Sequence, residues 1–267
     1  MFEDFYEFTA TPFSRGLPVS ALYRDSDRDE HVDRLKYAAK NQLFVVIFGE
    51  SGVGKTTILR RFSEEVTKNG YTVIYISDSK LTPRHFYKGI LEQLGFEAKY
   101  FRGDAKKQLH KEIEVMRAIH NVNLTVICDE AHLMSNDMLE EVRFLLNHRM
   151  DSLSPLSLLL CGQSELRDKL RLQANAAIRQ RVDIQCQVGK LDMSRTAEYI
   201  KAHLSYAGCT KDIFTDGAID DVFKFSCGIP RLINKACIAS LMYGAQNRKA
   251  LIDDRMVKLV IDSELGV

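Results

Sequence analysis

The sequence predicts an α/β fold in which a parallel sheet of about five strands, flanked by helices, is followed by a small all-helical domain. Three observations carry that expectation. Short apolar runs alternate with helix-length amphipathic segments as far as residue 188. A glycine-rich turn stands where the first apolar run ends and a helix begins. Beyond Gly189 come three or four amphipathic stretches, near 194–207, 215–225, 230–247 and 253–264, with no further strand-like run.

Taken in order, residues 1–25 read as irregular, because Pro12, Gly16 and Pro18 interrupt any helix, and their aromatics (Phe2, Phe5, Tyr6, Phe8, Phe13) are expected to pack on the main body. Ser26 opens a helix to Asn41, with Val32, Leu35 and Ala38 inward and Asp27, Asp29 and Glu30 at its positive end. Leu43–Phe48 is the first strand, and the helix after the glycine turn runs to about Gly70. Tyr71–Ile76 is the second strand, and Thr82 caps a helix through Leu94. A basic, less regular stretch leads to a helix from about Ala105 to His120. Leu124–Cys128, Leu156–Cys161 and Arg181–Val188 complete the strands, with a helix from about Asn136 to His148 between the first two of these. The expected organisation is an N-terminal segment 1–25, an α/β domain 26–189 and a helical domain 190–267.

Composition excludes several classes. A content of 45% apolar and 27% charged residues describes an ordinary globule with a sizeable core. The net charge of +1 gives no global electrostatic case for nucleic acid, so any such case rests on local clustering. The six cysteines form no C-x-x-C pair and have no histidine at metal-ligand spacing, and Cys128 and Cys161 read as buried thiols. No apolar run approaches the ~18 residues that span a bilayer, and the acidic, aromatic N-terminus is unlike a signal peptide. A cytoplasmic protein with no membrane partner is expected.

Gly49-Glu50-Ser51-Gly52-Val53-Gly54-Lys55-Thr56 satisfies the phosphate-loop pattern G-x-x-x-x-G-K-[ST], and Thr57 continues into the helix. At a strand-to-helix junction several backbone N–H groups converge on one anion, and glycines let the backbone approach it. Lys55 would reach the β- and γ-phosphates of ATP and Thr56 would sit on Mg2+. The third strand ends in Asp129-Glu130. An acid at that end, on a strand expected beside the one feeding the phosphate loop, suits a magnesium-associated role for Asp129. Glu130 then suits the base that deprotonates the attacking water. Asp129-Glu130-Ala131-His132 also spells a helicase signature, but that class needs two tandem motor domains and only one fits here.

With these motifs in sequence, the chain resembles AAA+ ATPases. Leu158-Leu159-Leu160-Cys161-Gly162-Gln163, Arg179-Gln180-Arg181 and Gly228-Ile229-Pro230-Arg231 follow in the family's order. The likeness is to the ExeA-like group that includes the transposition regulators TnsC, TniB and MuB, and it covers nearly the whole chain. It implies a P-loop AAA+ module with a helical lid. It further implies that Gln163 is a polar sensor of the γ-phosphate or attacking water, the alternative being a loop residue capping the next helix. Arg179 and Arg181 fall where the family holds an arginine finger, with Arg149 a competitor and a surface salt bridge the alternative. Arg231 matches the second sensor, or else packs at a helix start.

Between Lys80 and Lys111 eight cations face three acids, a local surplus of five in a chain of net +1. Lys99-Tyr100-Phe101-Arg102 interleaves aromatics with cations. Such a stretch suits sequence-independent phosphate contacts, or is simply a solvated helix face. By resemblance to transposition regulators, Lys80, Lys99 and Arg102 would face duplex DNA in a central pore. The expected function is an ATPase that hydrolyses ATP between subunits of a ring or filament, coats duplex DNA and recruits a transposase, with a target-selection protein a further partner. The rivals are an ExeA-type secretion ATPase, whose membrane span and periplasmic domain have no room here, and a nucleotide switch with a protein partner only.

Overall fold

The computed structural model describes residues 2–78, 80–120, 122–147 and 154–265. The chain opens with a single helical turn, α1 (Phe2–Phe5), and then α2 (Ser26–Asn41), β1 (Phe44–Phe48) and α3 (Lys55–Thr67). Next come β2 (Thr72–Ile76), α4 (Pro83–Gln93), α5 (Arg102–His120), β3 (Leu124–Cys128) and α6 (Asn136–Leu146). They are followed by β4 (Ser157–Gly162), α7 (Ser164–Arg171), the short α8 (Ala176–Arg179) and β5 (Ile184–Gln187). The chain then runs through α9 (Met193–Tyr206), α10 (Asp216–Ser226), α11 (Pro230–Gln246) and α12 (Asp254–Val260). Contacts divide it into two units, Asp27–Ser51 with Lys55–Val188, and the rest of the described chain.

The first unit is built on five parallel strands in the order β2-β3-β4-β1-β5. β1, β3 and β4 are buried throughout, whereas β2 and β5 alternate with exposed positions. All-apolar strands take the interior of a parallel sheet and mixed strands its edges. This corrects the expectation that the acid-bearing strand lies beside the phosphate-loop strand, because β4 stands between β3 and β1. The register nevertheless aligns the carboxyl ends, pairing Ile76 with Cys128 and Phe48 with Gly162. The residues that follow β1, β3 and β4 therefore emerge along one edge of the sheet, where open α/β sheets bind ligands.

Local chemistry sets the helix limits. The Thr82 hydroxyl accepts the His85 N–H before Pro83 starts α4. α5 begins at Arg102, three residues earlier than its apolar pattern predicts, so Arg102 is a helix residue and not part of the preceding loop. Phe101 carbonyl accepts from both Asp104 and Ala105 amides, closing that first turn. β5 is shorter than expected because the α8 turn continues through hydrogen bonds from Arg181 to Ile178 and from Val182 to Arg179.

The second unit is helical. Asp192, Thr215 and Asp253 side chains cap α9, α10 and α12, and Pro230 starts α11. Gly228 has φ +74°, and a Cβ there would stand 1.8 Å from the Leu191 carbonyl oxygen, so only glycine fits. Of the N-terminal aromatics, Phe2 and Phe13 are buried in this unit's core with Ile200, Phe214 and Ile233, Tyr6 and Phe8 pack against it, and Phe5 is exposed. Phe13 stacks on His203 at 5.0 Å and donates its amide to His203 Nδ1 at 3.1 Å.

Candidate nucleotide site

The apolar strand β1 delivers the chain to the phosphate loop, and α3 begins at Lys55, the lysine of the motif. Gly54 lies at φ +102°, a left-handed conformation that glycine adopts without strain. Lys55 is 8% exposed, and its Nζ donates to the carbonyls of Gly49 at 2.8 Å and Glu50 at 2.9 Å. The carbonyls at the start of the loop thus hold the ammonium where α3 begins.

Asp129 follows β3 and is 5% exposed. Its Oδ1 accepts the Glu130 amide at 2.8 Å, while Oδ2 accepts the Thr56 hydroxyl at 3.3 Å and the Tyr75 hydroxyl at 2.6 Å. Burial, and then the hydrogen bond to Asp129, push the Tyr75 phenol far above its ordinary value. The Cys161 thiol is likewise raised, first by burial and then by the Asp129 charge, so it stays protonated beside that carboxylate.

Glu130 takes a left-handed backbone, φ +52° and ψ +31°, at the entry to a short turn over Ala131–Leu133. Its half-exposed carboxylate lies 3.5 Å from His132 Nδ1. That nitrogen also faces the Gln163 amide at 3.4 Å. Lys169 fastens the same turn from α7, donating to the carbonyls of His132 at 2.8 Å and Met134 at 2.5 Å. Burial lowers the pKa of Lys169, yet two carbonyl partners remain to hold its ammonium. Gln163 precedes α7 as its N-cap residue but makes no side-chain cap bond, which leaves the capping alternative without its hydrogen bond.

Among the described residues no cluster of three or more His, Cys, Asp or Glu side chains makes a metal cage. The Thr56 hydroxyl and Asp129 carboxylate are instead two neighbouring hard oxygen donors, which fits Mg2+ held mainly by water and substrate phosphates. The donor set and the curled loop with its buried lysine therefore fit a magnesium nucleotide.

The remaining expected residues fall elsewhere. Arg179 Nη1 donates to the carbonyls of Arg171 at 2.7 Å and Leu170 at 3.4 Å, closing the end of α7. Arg181 follows in the turn toward β5, and Arg149 lies outside the described residues. Within the helical unit, to which Gly52–Gly54 group by their contacts, the Arg231 amide donates to the Gly52 carbonyl at 3.2 Å. Lys80 and Lys99 are exposed, whereas Arg102 pairs with the buried Glu141 at 3.1 Å. Glu141 also meets Lys106 at 3.2 Å and the Tyr87 hydroxyl at 2.5 Å. Motif reading did not single out Tyr75, His132, Lys169 or Glu141.

Comparison with known proteins agrees with this geometry. Residues 38–170 match the family described as AAA domain. General secretion pathway protein A of Aeromonas hydrophila is 29% identical over 249 residues, which is 91% of this chain and 44% of that protein. The chain thus spans less than half the length of that curated relative. The ORC2 protein of Aeropyrum pernix, solved in ADPNP–ADP complexes, superposes with a TM-score of 0.69 at 15% identity, covering 96% of this chain and 72% of that one. Drosophila ORC, solved bound to DNA, gives 0.68 at 17% identity, covering 100% and 66%. At these identities the two structures speak for the fold alone. No helix among the described residues is long and apolar enough to cross a membrane. Residues 38–170, which carry the phosphate loop, the acidic strand end and four strands of the five-stranded parallel sheet, match the AAA domain family and take the fold of a P-loop ATPase.

Proposed function

We propose that this protein binds Mg-ATP at the Gly49–Thr57 loop and hydrolyses it to ADP and phosphate in an oligomer assembled on duplex DNA. The observation that carries the hydrolytic part is the pairing of Thr56 and Asp129 at 3.3 Å beside the buried Lys55. Backbone amides of the loop and the Lys55 ammonium bind the phosphates and orient the γ-phosphoryl group. Mg2+, when bound, neutralises phosphate charge. Glu130 accepts the proton of the attacking water, and Gln163 holds that water or the γ-phosphate. Arg179 or Arg181 serves as the trans finger, and the Arg179 guanidinium also closes α7. Arg231 is the second sensor of nucleotide state, by resemblance to the family.

The DNA part rests on the cation surplus between Lys80 and Lys111, with Lys80 and Lys99 exposed. The finer reading, by resemblance to transposition regulators, is that the DNA-bound assembly recruits a transposase. It is tested by electron microscopy of the protein with duplex DNA, with and without a non-hydrolysable ATP analogue. Rings or filaments on DNA that need the analogue support it, and particles indifferent to both ligands contradict it. Purified transposase should then be retained on those assemblies and not on bare DNA.

One observation favours a second reading. The match to general secretion pathway protein A extends over 91% of this chain. On that reading the AAA domain powers a secretion-associated partner, and the same micrographs would show no dependence on DNA.

A further inference from the structure

We infer that Tyr100 and Phe101 form a rigid aromatic tip that stacks on exposed nucleobases, so that the basic segment reads DNA with unpaired or unstacked bases and not its phosphates alone. This rests on the DNA-binding reading above and extends it to a second kind of contact.

The two rings are 68% and 69% exposed, more than any other large hydrophobic side chain among the described residues except Ile119. They sit edge to face with centroids 5.3 Å apart. Isolated exposed rings need no explanation, but adjacent ones on a pinned base do. The base here is pinned on both sides. On one side the Lys99 amide donates to Gln108 Oε1 at 3.0 Å, and Gln108 Nε2 donates to the Glu97 carbonyl at 2.9 Å. On the other, the Phe101 carbonyl accepts two amides of α5, and Arg102 is tied to Glu141. Glu141 is only 4% exposed and takes further bonds from Tyr87 and Lys106. A buried carboxylate is costly unless fully partnered, so this cluster fixes where α5 starts and hence where the rings point out.

The surroundings select the occupant. The Arg84 guanidinium lies 4.0 Å from the Tyr100 ring centroid, a cation–π stack on the tip itself. Lys99 precedes the rings, and the segment carries its surplus of five cations. An apolar groove on a protein partner would gain little from that charge. A nucleic-acid strand supplies both complements, phosphates for the cations and flat base faces for the rings. Paired, stacked bases present no open face, so the tip favours single strands, bubbles or a base step it can wedge apart.

The test uses the full chain with ATP analogue and oligonucleotides carrying 2-aminopurine, as a single strand and as the matching duplex. Wild type should perturb 2-aminopurine fluorescence and bind the single strand at least as tightly as the duplex. Tyr100→Leu/Phe101→Leu keeps apolar surface and removes the aromatic faces. It should weaken single-strand binding on the order of tenfold or more, abolish the fluorescence change and leave the salt dependence unaltered. Lys99→Ala should do the reverse, lowering the salt slope by about one unit while the fluorescence change persists. A double leucine variant that binds and perturbs 2-aminopurine like wild type overturns the stacking tip while leaving DNA binding intact. Wild type that binds neither oligonucleotide at low salt overturns the DNA reading itself, and the tip with it.

Discussion

The Tyr75 hydroxyl stands 2.6 Å from Asp129 Oδ2, the same oxygen that receives Thr56. Tyr75 is on edge strand β2, and its carbonyl also accepts Gln93 Nε2 of α4 at 3.2 Å. One residue therefore ties the Asp129 carboxylate to β2 and α4, the elements on either side of Lys80. Tyr75→Phe removes a hydrogen bond to a charged acceptor, worth about 1.5–3 kcal/mol when intact. Allowing for the partly exposed phenol, Mg2+-dependent ATP affinity should weaken roughly three- to tenfold. Binding measured in chelator should not change. Titrating Mg2+ against a fluorescent nucleotide checks both, and identical Mg2+ curves would make Tyr75 a packing residue only.

Lys55 and Glu130 should separate binding from turnover. Lys55→Ala removes the cation at the loop and should reduce ATP affinity by more than tenfold. Glu130→Gln leaves the loop intact but cannot take a proton from water, so affinity should survive while hydrolysis falls on the order of a hundredfold or more. Equal hydrolysis rates for Glu130→Gln and wild type would remove Glu130 from the chemistry.

The two arginines of Arg179-Gln180-Arg181 should behave differently. Arg179→Ala releases two carbonyls at the end of α7 and should lower the melting temperature by a few degrees, with a loss of about 1 kcal/mol. Arg181→Ala, the variant that tests the finger, should keep nucleotide affinity yet lose hydrolysis. Mixed with Glu130→Gln protein, it should regain part of that activity, since one interface then holds a complete site. No rescue in proven mixed oligomers would argue against a trans Arg181.

Contiguous features were legible in the sequence. The phosphate loop, its strand and its helix occupy one short span, so spacing alone located them. Sheet order was not, because placing β4 beside β1 depends on a pairing such as Phe44 with Leu158, across more than a hundred residues. The Tyr75–Asp129 contact joins residues 54 apart with no motif to announce it. A faint signal existed in the alternation of β2, where Ile74 and Ile76 point inward and Tyr75 outward. Glu141 offered another, an acid among the inward positions Met138, Leu139, Val142 and Leu145 of α6. Its partner Arg102 counts among the candidate DNA cations in the sequence, since charge counting does not reveal which cations are already paired.

His203 makes the helical unit sensitive to acid. Burial lowers its pKa from 6.5 to about 4, and its neutral Nδ1 accepts the Phe13 amide. Between pH 6.5 and about 4 the unfolded chain takes up a proton that the folded one refuses. Stability contributed by this site is thus present above that window and is lost as pH falls through it. Thermal unfolding from pH 7.5 to 4.5 should show wild type losing more than His203→Gln does. Parallel curves would indicate that protonated His203 is accommodated.

The central claim is that nucleotide at the Gly49–Thr57 loop drives assembly on DNA through exposed cations. Anisotropy of a labelled duplex, measured with the ATP analogue over a range of salt, tests it most directly. Arg102→Ala is a poor probe alone, because it strips a partner from buried Glu141. Lys80→Ala/Lys99→Ala is cleaner. Wild type should bind duplexes of unrelated sequence alike, only with the analogue, and lose affinity steeply as salt rises. The double variant should bind more weakly with a shallower salt slope, and Lys55→Ala should not bind. Duplex affinity that is absent at low salt with the analogue, or unchanged without it, would contradict the account.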